Sequence, residues 1–217
     1  MLNTECLTIT VILYNVCMRE TRIAPNEYYH IFNRGMSKQK IFLDNSDFKY
    51  FLKLFDRYLS ADRAISKTGD IYPHFLGEIE VLAYCIMPNH FHLLLYQVNV
   101  PSLEKFMRSL MTSYGKYLNL KYKRTGPVFE SRYKAVRIDR DAYLQHVSRY
   151  IHLNPKRWKC YKHSSLRYYR LGQEPFWLHT AKILDIFESR QNYMDFVSDY
   201  EEMHEILDEL KYQLADK

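Results

Sequence analysis

Several features are missing from this chain of 217 residues, and each absence narrows its function. No apolar run approaches the ~20 residues that a membrane-spanning helix needs, and no glycine-rich loop of the kind that cradles nucleotide phosphates is present. The four cysteines, Cys6, Cys17, Cys85 and Cys160, form no Cys-x-x-Cys pair. The pattern therefore excludes a disulfide framework and a zinc knuckle, and it indicates a reducing, cytoplasmic setting.

The N-terminal segment is a poor signal peptide. Its apolar stretch, residues 7–14, is short and is preceded by Glu5 with no Lys or Arg. We expect residues 1–20 to be an extension in front of the folded protein, with Met18 rather than Met1 as an alternative start.

Acidic residues are scarce in the middle of the chain. The net charge is +6 overall, but residues 105–170 contain 17 basic and three acidic residues, a net charge of +14, whereas residues 185–217 carry a net charge of −7. Basic groups neutralise phosphates, and aromatic faces stack on unpaired bases. Because many tyrosines lie within the basic stretch, it predicts a nucleic-acid surface rather than an ordinary solvated face.

A histidine pair is the most informative local feature. The apolar run 81–87 reads as a buried strand, and it leads into Pro88-Asn89-His90-Phe91-His92. Side chains alternate along a strand, so His90 and His92 share one face while Phe91 points into a core. Two adjacent imidazoles are suited to holding one metal ion, although such pairs also occur for purely structural reasons.

The order of predicted elements is strand, helix, two strands, helix, strand, helix. It indicates the α+β class, with a central, mainly antiparallel sheet flanked by helices. We expect a catalytic domain over residues 21–175 and an acidic, amphipathic helical tail over residues 176–217, whose role the sequence leaves open.

The last helix of that domain carries a second group of candidate site residues. Residues four apart share a helix face, which aligns His146, Tyr150 and Asn154 before the helix stops at Pro155. A phenol is a weak nucleophile at neutral pH, but a metal that polarises a phosphate enables its attack. We interpret His146 and His152 as surface or supporting residues.

In combination, these segments resemble the single-tyrosine transposases of the HUH endonuclease superfamily, and among them the REP-associated tyrosine transposases. The resemblance spans roughly residues 28–170 and rests on four stretches, residues 29–35, 87–94, 126–133 and 150–155. It implies the HUH, ferredoxin-like fold.

The resemblance also implies roles for single residues. Tyr150 matches the nucleophile, and His90, His92 and Asn154 match the ligands of Mg²⁺ or Mn²⁺. The implied reaction is cleavage and rejoining of single-stranded or hairpin DNA through a 5′-phosphotyrosine link, without ATP. We expect a cytoplasmic, nucleoid-associated protein with no membrane partner, monomeric or homodimeric. The candidates for DNA-backbone contacts are Arg34, Arg124, Arg132, Lys134 and Arg137.

Three alternatives remain open from the sequence. The first is a nucleic-acid-binding protein of the same fold without catalysis. The second is a replication-initiator or relaxase-type nuclease, which usually carries a further domain. The third is a metal hydrolase acting on a small molecule, which the spread of Lys and Arg disfavours. Self-mobile and domesticated enzymes both fit the motifs.

Overall fold

The computed structural model describes residues 23–138 and 141–199, without the side chains of residues 141–143. The four strands and six helices of this part are β1 (Glu27–Arg34), α1 (Asn45–Leu59), β2 (Ile79–Met87), β3 (His90–Gln97), α2 (Ser102–Lys121), β4 (Lys134–Ile138), α3 (Asp141–Leu153), α4 (Leu166–Leu171), α5 (Ala181–Leu184) and α6 (Arg190–Ser198). Three short 3₁₀ turns lie at Met36–Lys38, Trp158–Cys160 and Asp185–Phe187.

The four strands form one antiparallel sheet in the order β2-β3-β1-β4. A tight connection joins β2 to β3, so Met87 pairs with His90 at the closed end of the hairpin. The strand order places β3 and β1 in the centre, where both are paired on each side. This arrangement confirms the predicted antiparallel α+β fold with flanking helices.

Alternation along the strands produces two separate cores. Helices α1 and α2 cover one face of the sheet, where Tyr29, Phe91 and Leu93 are buried against them. Helices α3, α4 and α6 cover the other face, where the buried residues include Leu94 of β3. A register shift between Val81 and Ala83 breaks the alternation in β2, so both Leu82 and Ala83 join the second core.

A buried carboxylate ties α1 to α2. Asp44 and Asp47 form a capping box at the start of α1, and Asp47 is fully buried. Burial alone raises the pKa of Asp47, but bonds from Lys121 Nζ and from backbone amides outweigh it and hold this pKa below its usual value. The hydroxyls of Tyr117 and Tyr122 also donate to this carboxylate. The first turn of α1 is thereby fixed to the end of α2.

The outer edge of β2 is covered by chain segments that follow α3. Ser165 N donates to Tyr84 O, and Ile86 N donates to His163 O, each at 2.9 Å. Further along the same edge, His179 N donates to Val81 O at 2.8 Å. These bonds satisfy backbone groups that an edge strand otherwise leaves open.

The C-terminal part is helical, as predicted, but it is not one continuous helix. Ser189 has an extended backbone and caps α6 by accepting a bond from Asn192 N, which separates α6 from α5. Trp177, Tyr193 and Val197 are buried in the two cores. The expected N-terminal extension, with Cys6 and Cys17, and the tail beyond residue 199 lie outside the described residues. Within the described part, no helix is both long and apolar enough to cross a membrane.

Candidate active site

The two predicted histidines lie at the start of β3 and face α3. Phe91 between them is fully buried on the opposite face, where its ring meets Phe51 of α1 at 5.2 Å between centroids. The rings of His90 and His92 meet edge to face, with centroids 5.2 Å apart. The expected division, with two imidazoles on one side and a core phenylalanine on the other, is therefore present.

Asn154 brings the end of α3 to both imidazoles. Its Oδ1 lies 3.0 Å from His90 Nε2, and its Nδ2 lies 3.2 Å from His92 Nε2. Asn154 and His92 are both buried. The helix ends one residue earlier, at Leu153, and Pro155 follows, so the amide projects from the helix terminus toward the strand.

The outer nitrogens of the two imidazoles have their own partners. The two nitrogens of His90 lie 2.7 Å from Asn89 Oδ1 and 3.0 Å from Asn154 Oδ1, and both of these amide oxygens can only accept. When the proton is on Nδ1, it is donated to Asn89, and Nε2 faces Asn154 Oδ1 with a lone pair. His92 Nδ1 lies 2.9 Å from Nε2 of His30, a buried histidine of β1. Burial lowers the pKa of His30 to about 3, so this imidazole is neutral, and with its proton on Nδ1 its Nε2 accepts a hydrogen bond from His92 Nδ1. In that tautomer both Nε2 atoms face Asn154 as lone pairs.

This donor set fits a divalent metal ion. Two ligands at right angles around an ion with bonds of ~2.1 Å are separated by about 3.0 Å, which matches the 3.0 Å between Asn154 Oδ1 and His90 Nε2. Imidazole nitrogen and amide oxygen suit Mn²⁺ or Mg²⁺ better than thiolates do. No group of three or more His, Cys, Asp or Glu side chains with metal-binding geometry occurs among the described residues, so the amide is needed to complete a trio.

Tyr150 lies one helical turn before Asn154 and against the histidines. Its ring meets His92 at 5.5 Å and His30 at 5.7 Å between centroids, both edge to face. Burial raises the pKa of the Tyr150 hydroxyl above its usual value, and a hydrogen bond with Asn154 opposes that shift. The phenol is therefore neutral at physiological pH in the metal-free protein.

Segments that follow helix α3 in the chain pack against this helix and hydrogen-bond to it. Leu144, Val147 and Ile151 pack in the second core. His152, which we interpreted as a surface or supporting residue, is fully buried, and its ring nitrogens lie 2.7 Å from Tyr193 Oη and from Ser165 Oγ. His146, the other histidine of this helix, accepts a hydrogen bond of 2.8 Å from Arg149 at its Nδ1.

The five predicted DNA-contact residues are distributed around β1, β4 and the loop between α2 and β4. Arg34, opposite His90 in the strand register, forms a two-pronged ion pair with Glu130. Arg137 pairs with Glu27, and Arg124 donates to Gln39 at 3.1 Å. The remaining two are exposed, namely Arg132 and Lys134. Their role in DNA binding stays a prediction.

The start of the resembling sequence, residues 29–35, builds the wall of the site. Asn33 Nδ2 donates to the carbonyls of Ser131 and Arg132, both at 2.9 Å, which anchors the basic loop before β4. Gly35 N donates to Asn89 O at 2.8 Å, and a Cβ at Gly35 would overlap the carbonyl oxygen of Gln39. These contacts give structural reasons for the Asn and the Gly of that motif.

His30 is the site residue that the sequence interpretation missed. Its position falls within the resembling stretch 29–35, where no single residue is predicted as a ligand or nucleophile. Strand alternation alone places it on the face opposite Tyr29 and Ile31, both of which are fully buried with α1 and α2. What the sequence did not provide is the pairing of β1 with β3, which sets His30 diagonally across from His92.

Comparison with known proteins gives a family match over part of the chain. Residues 70–154 match the family model described as "Transposase IS200 like", a stretch that contains the histidine pair, Tyr150 and Asn154 but not His30. No curated protein sequence matches the chain. The resemblance to single-tyrosine transposases that the sequence indicated is therefore confirmed for this segment.

Two solved structures are similar to this protein. The fold is similar to that of a REP-associated tyrosine transposase bound to a REP hairpin, with a TM-score of 0.52, 14% identity, and coverage of 75% of this chain and 92% of that one. A putative transposase from Deinococcus radiodurans R1 is also similar at 14% identity, with coverage of 60% of this chain and 93% of that one, but at a TM-score of 0.38. The fold is thus the one seen in a REP-associated tyrosine transposase.

Proposed function

We propose that this protein is a metal-dependent single-stranded DNA endonuclease and strand transferase, a transposase that uses Tyr150 as its nucleophile. The observation that supports this most directly is the meeting of three elements at one point. The phenol of Tyr150 and the amide of Asn154 come from α3, the two Nε2 atoms come from β3, and the orienting His30 comes from β1.

The proposed cleavage is one balanced displacement at phosphorus. The Tyr150 hydroxyl loses its proton to solvent or to a neighbouring base and forms an Oη–P bond, while the bond from phosphorus to the 3′ oxygen breaks. That oxygen takes up a proton and leaves as a 3′-hydroxyl, and the protein keeps the 5′ phosphate as a phosphotyrosine ester. Attack by another 3′-hydroxyl reverses the step and restores the phenol, so phosphodiester bonds are exchanged without ATP.

His90, His92 and Asn154 would hold the metal ion, Mg²⁺ or Mn²⁺. When bound, the ion supplies Lewis-acid polarisation of the phosphate and stabilises the developing negative charge. The chain itself orients the reacting groups. Asn89 and His30 fix the imidazoles, and the hydrogen bond between Tyr150 and Asn154 keeps the phenol beside them.

Hairpin DNA is the substrate class that we propose. The structurally similar REP-associated transposase is bound to a REP hairpin, and the basic stretch 105–170 of this chain provides charge for a phosphate backbone. Of the predicted contacts, Arg34 lies beside His90 in the register, so its exchange from Glu130 to a DNA phosphate would place a guanidinium next to the reacting group.

The decisive experiment is a denaturing gel of the purified protein with labelled hairpin DNA taken from the sequence flanking its gene. We expect a slowly migrating protein–DNA adduct that requires Mg²⁺ or Mn²⁺, disappears with EDTA, and is absent in Tyr150→Phe. The matched control is Tyr96→Phe, which removes a phenol hydroxyl at the far end of β3 that donates to Asn26 Oδ1 at 3.2 Å.

The outcomes separate the proposed enzyme from its alternative. An adduct that persists in Tyr150→Phe would reject this tyrosine as the nucleophile. Hairpin binding with no adduct across several flanking hairpins would instead favour the alternative, a catalytically silent nucleic-acid-binding protein of the same fold.

A further inference from the structure

A basic cavity lies on the α3 side of the sheet, outside the site described above. Its volume is about 410 Å³, within the ~300–1,000 Å³ range of small-ligand pockets. It opens between the Trp158–Cys160 turn, α4 and α6. The lining residues are Trp158, Lys159, Cys160, Tyr161, Lys162, Leu166, Arg167, Arg170, Leu171, Met194 and Ser198.

The charge of this cavity has one sign. Four of the lining residues are Lys or Arg, and none is Asp or Glu. Nine of the eleven lining residues come from the stretch between Ala142 and Gln173, which contains no acidic residue, whereas Asp195 and Asp199 adjoin the two lining residues of α6. These cations surround a concave space large enough for an anionic ligand.

Aromatic rings hold two of these cations in place. The Arg167 guanidinium lies 4.4 Å from the centroid of the Tyr168 ring, and Lys159 Nζ lies 5.1 Å from that of Trp158. Such contacts restrict long side chains that would otherwise lose more conformational entropy on binding a ligand. Because Trp158 is itself buried, its ring supports the wall and is not a stacking surface, so the cavity presents charge to phosphates more than faces to bases.

The cavity is close to the proposed active site along the chain. Trp158 follows Asn154 by four residues, so their Cα atoms are at most about 15 Å apart. Tyr161 Oη donates to Ile86 O at 2.7 Å, which fixes this wall to β2, the direct neighbour of β3. The phosphates of one stacked strand are spaced ~3.4 Å apart along the helix axis. A single strand held at Tyr150 therefore needs only a few nucleotides to reach the cavity.

We propose that this cavity binds backbone phosphates of the single-stranded DNA next to the cleavage site, through Lys162, Arg167 and Arg170. The proposal rests on the proposed function, because it needs a single strand bound at Tyr150. It adds a contact surface formed by α4 and the Trp158–Cys160 turn, neither of which contains any of the five predicted DNA-contact residues.

The test measures how binding depends on salt. All proteins carry Tyr150→Phe, so that only equilibrium binding is followed, and the probe is a fluorescein-labelled single-stranded thymidine oligonucleotide in EDTA over a series of NaCl concentrations. Each lost phosphate contact reduces the slope of log K against log [NaCl] by about 0.7 for single strands. The pair Lys162→Gln and Arg170→Gln should therefore reduce it by about 1.4.

A matched pair, Lys49→Gln and Lys53→Gln, removes the same charge from exposed positions on α1, which lie outside the basic stretch 105–170 and across the sheet from the cavity. The proposal is supported if the slope falls in the cavity pair and stays near the parent value in the α1 pair. Equal changes in both pairs, or no change in the cavity pair, would reject it. Failure of the parent protein to bind any single strand would reject the proposed function as well, and so distinguishes the two failures.

A second readout uses the exposed thiol of Cys160, which lines the cavity. The alkylation rate of Cys160 by iodoacetamide, followed by mass spectrometry of its own peptide, should fall when the oligonucleotide is bound. An unchanged rate at saturating oligonucleotide would contradict occupancy of the cavity. Melting temperatures equal to that of the parent establish that each variant is folded.

Discussion

Replacement of His30 tests the proposed metal site at a residue that would not touch the metal. His30→Leu places an apolar side chain of similar size in the sheet but removes the ring nitrogen that lies 2.9 Å from His92 Nδ1. The loss of this buried hydrogen bond costs about 1–3 kcal/mol. His92 avoids that cost by changing tautomer or rotating, and either change withdraws the Nε2 lone pair from the site.

The expected magnitude follows from the behaviour of residues that orient metal ligands. Loss of such a partner typically weakens metal affinity by about 10–100-fold, which corresponds to about 1.4–2.7 kcal/mol. The measurement is the dissociation constant for Mn²⁺ from isothermal titration calorimetry without DNA, accompanied by the yield of covalent adduct. His30→Gln should recover much of the affinity, because its amide oxygen reaches roughly the position of the imidazole Nε2 and accepts the same bond.

His74→Leu is the matched control. Its Nε2 lies 2.6 Å from Ser60 O, in the loop after α1, so it is a partly buried histidine remote from β3. We expect Mn²⁺ affinity to be unchanged in this variant. A folded His30→Leu protein that binds Mn²⁺ as tightly as the parent would refute the orienting role, and a parent that binds no Mn²⁺ with or without DNA would refute the metal site itself.

Three further predictions concern stability and the basic loop. Gly35→Ala should destabilise the protein by about 1–3 kcal/mol in urea unfolding, because the new Cβ overlaps the Gln39 carbonyl. Asp47→Asn should cost about 1–3 kcal/mol at pH 7, but less in acid. The folded-state pKa of Asp47 is lowered, so its contribution is present above the unfolded value of ~3.9 and is lost as the pH falls through the folded value. The unfolding midpoints of the parent and this variant should therefore differ at pH 7 and converge as the pH falls below 4. Asn33→Ala releases two carbonyls of the basic loop, and faster amide hydrogen exchange in residues 126–133 should follow, whereas unchanged exchange would contradict this anchoring.

The sequence predicted the positions of strands well where a regular pattern of apolar residues is followed by residues that end a strand. The apolar run 81–87 and the alternation of His90, Phe91 and His92 depend on local chemistry, and the structure has β2 and β3 in those places. The pair His90 and His92 and the stripe Tyr150 and Asn154 could likewise be aligned within their own elements, since spacing alone decides which residues share a face.

Contacts between elements were beyond sequence reasoning. Whether β3 pairs with β1 decides if His30 reaches His92, and no local pattern encodes that pairing. His152 is a second residue whose environment depends on contacts between elements. Its partners lie 13 and 41 residues away in sequence, and their hydrogen bonds satisfy both ring nitrogens and allow the side chain to be fully buried.

The attachment of His152 has a practical consequence for dissecting this protein. The stretch that matches the transposase family ends at residue 154. The hydrogen-bond partners of His152 on α3, Ser165 and Tyr193, come later in the chain. A fragment cut at the end of the matched stretch would expose an imidazole and one side of the helix that carries Tyr150. The smallest piece fit for biochemical study thus extends at least through α6, and homology boundaries alone would choose a piece that is too short.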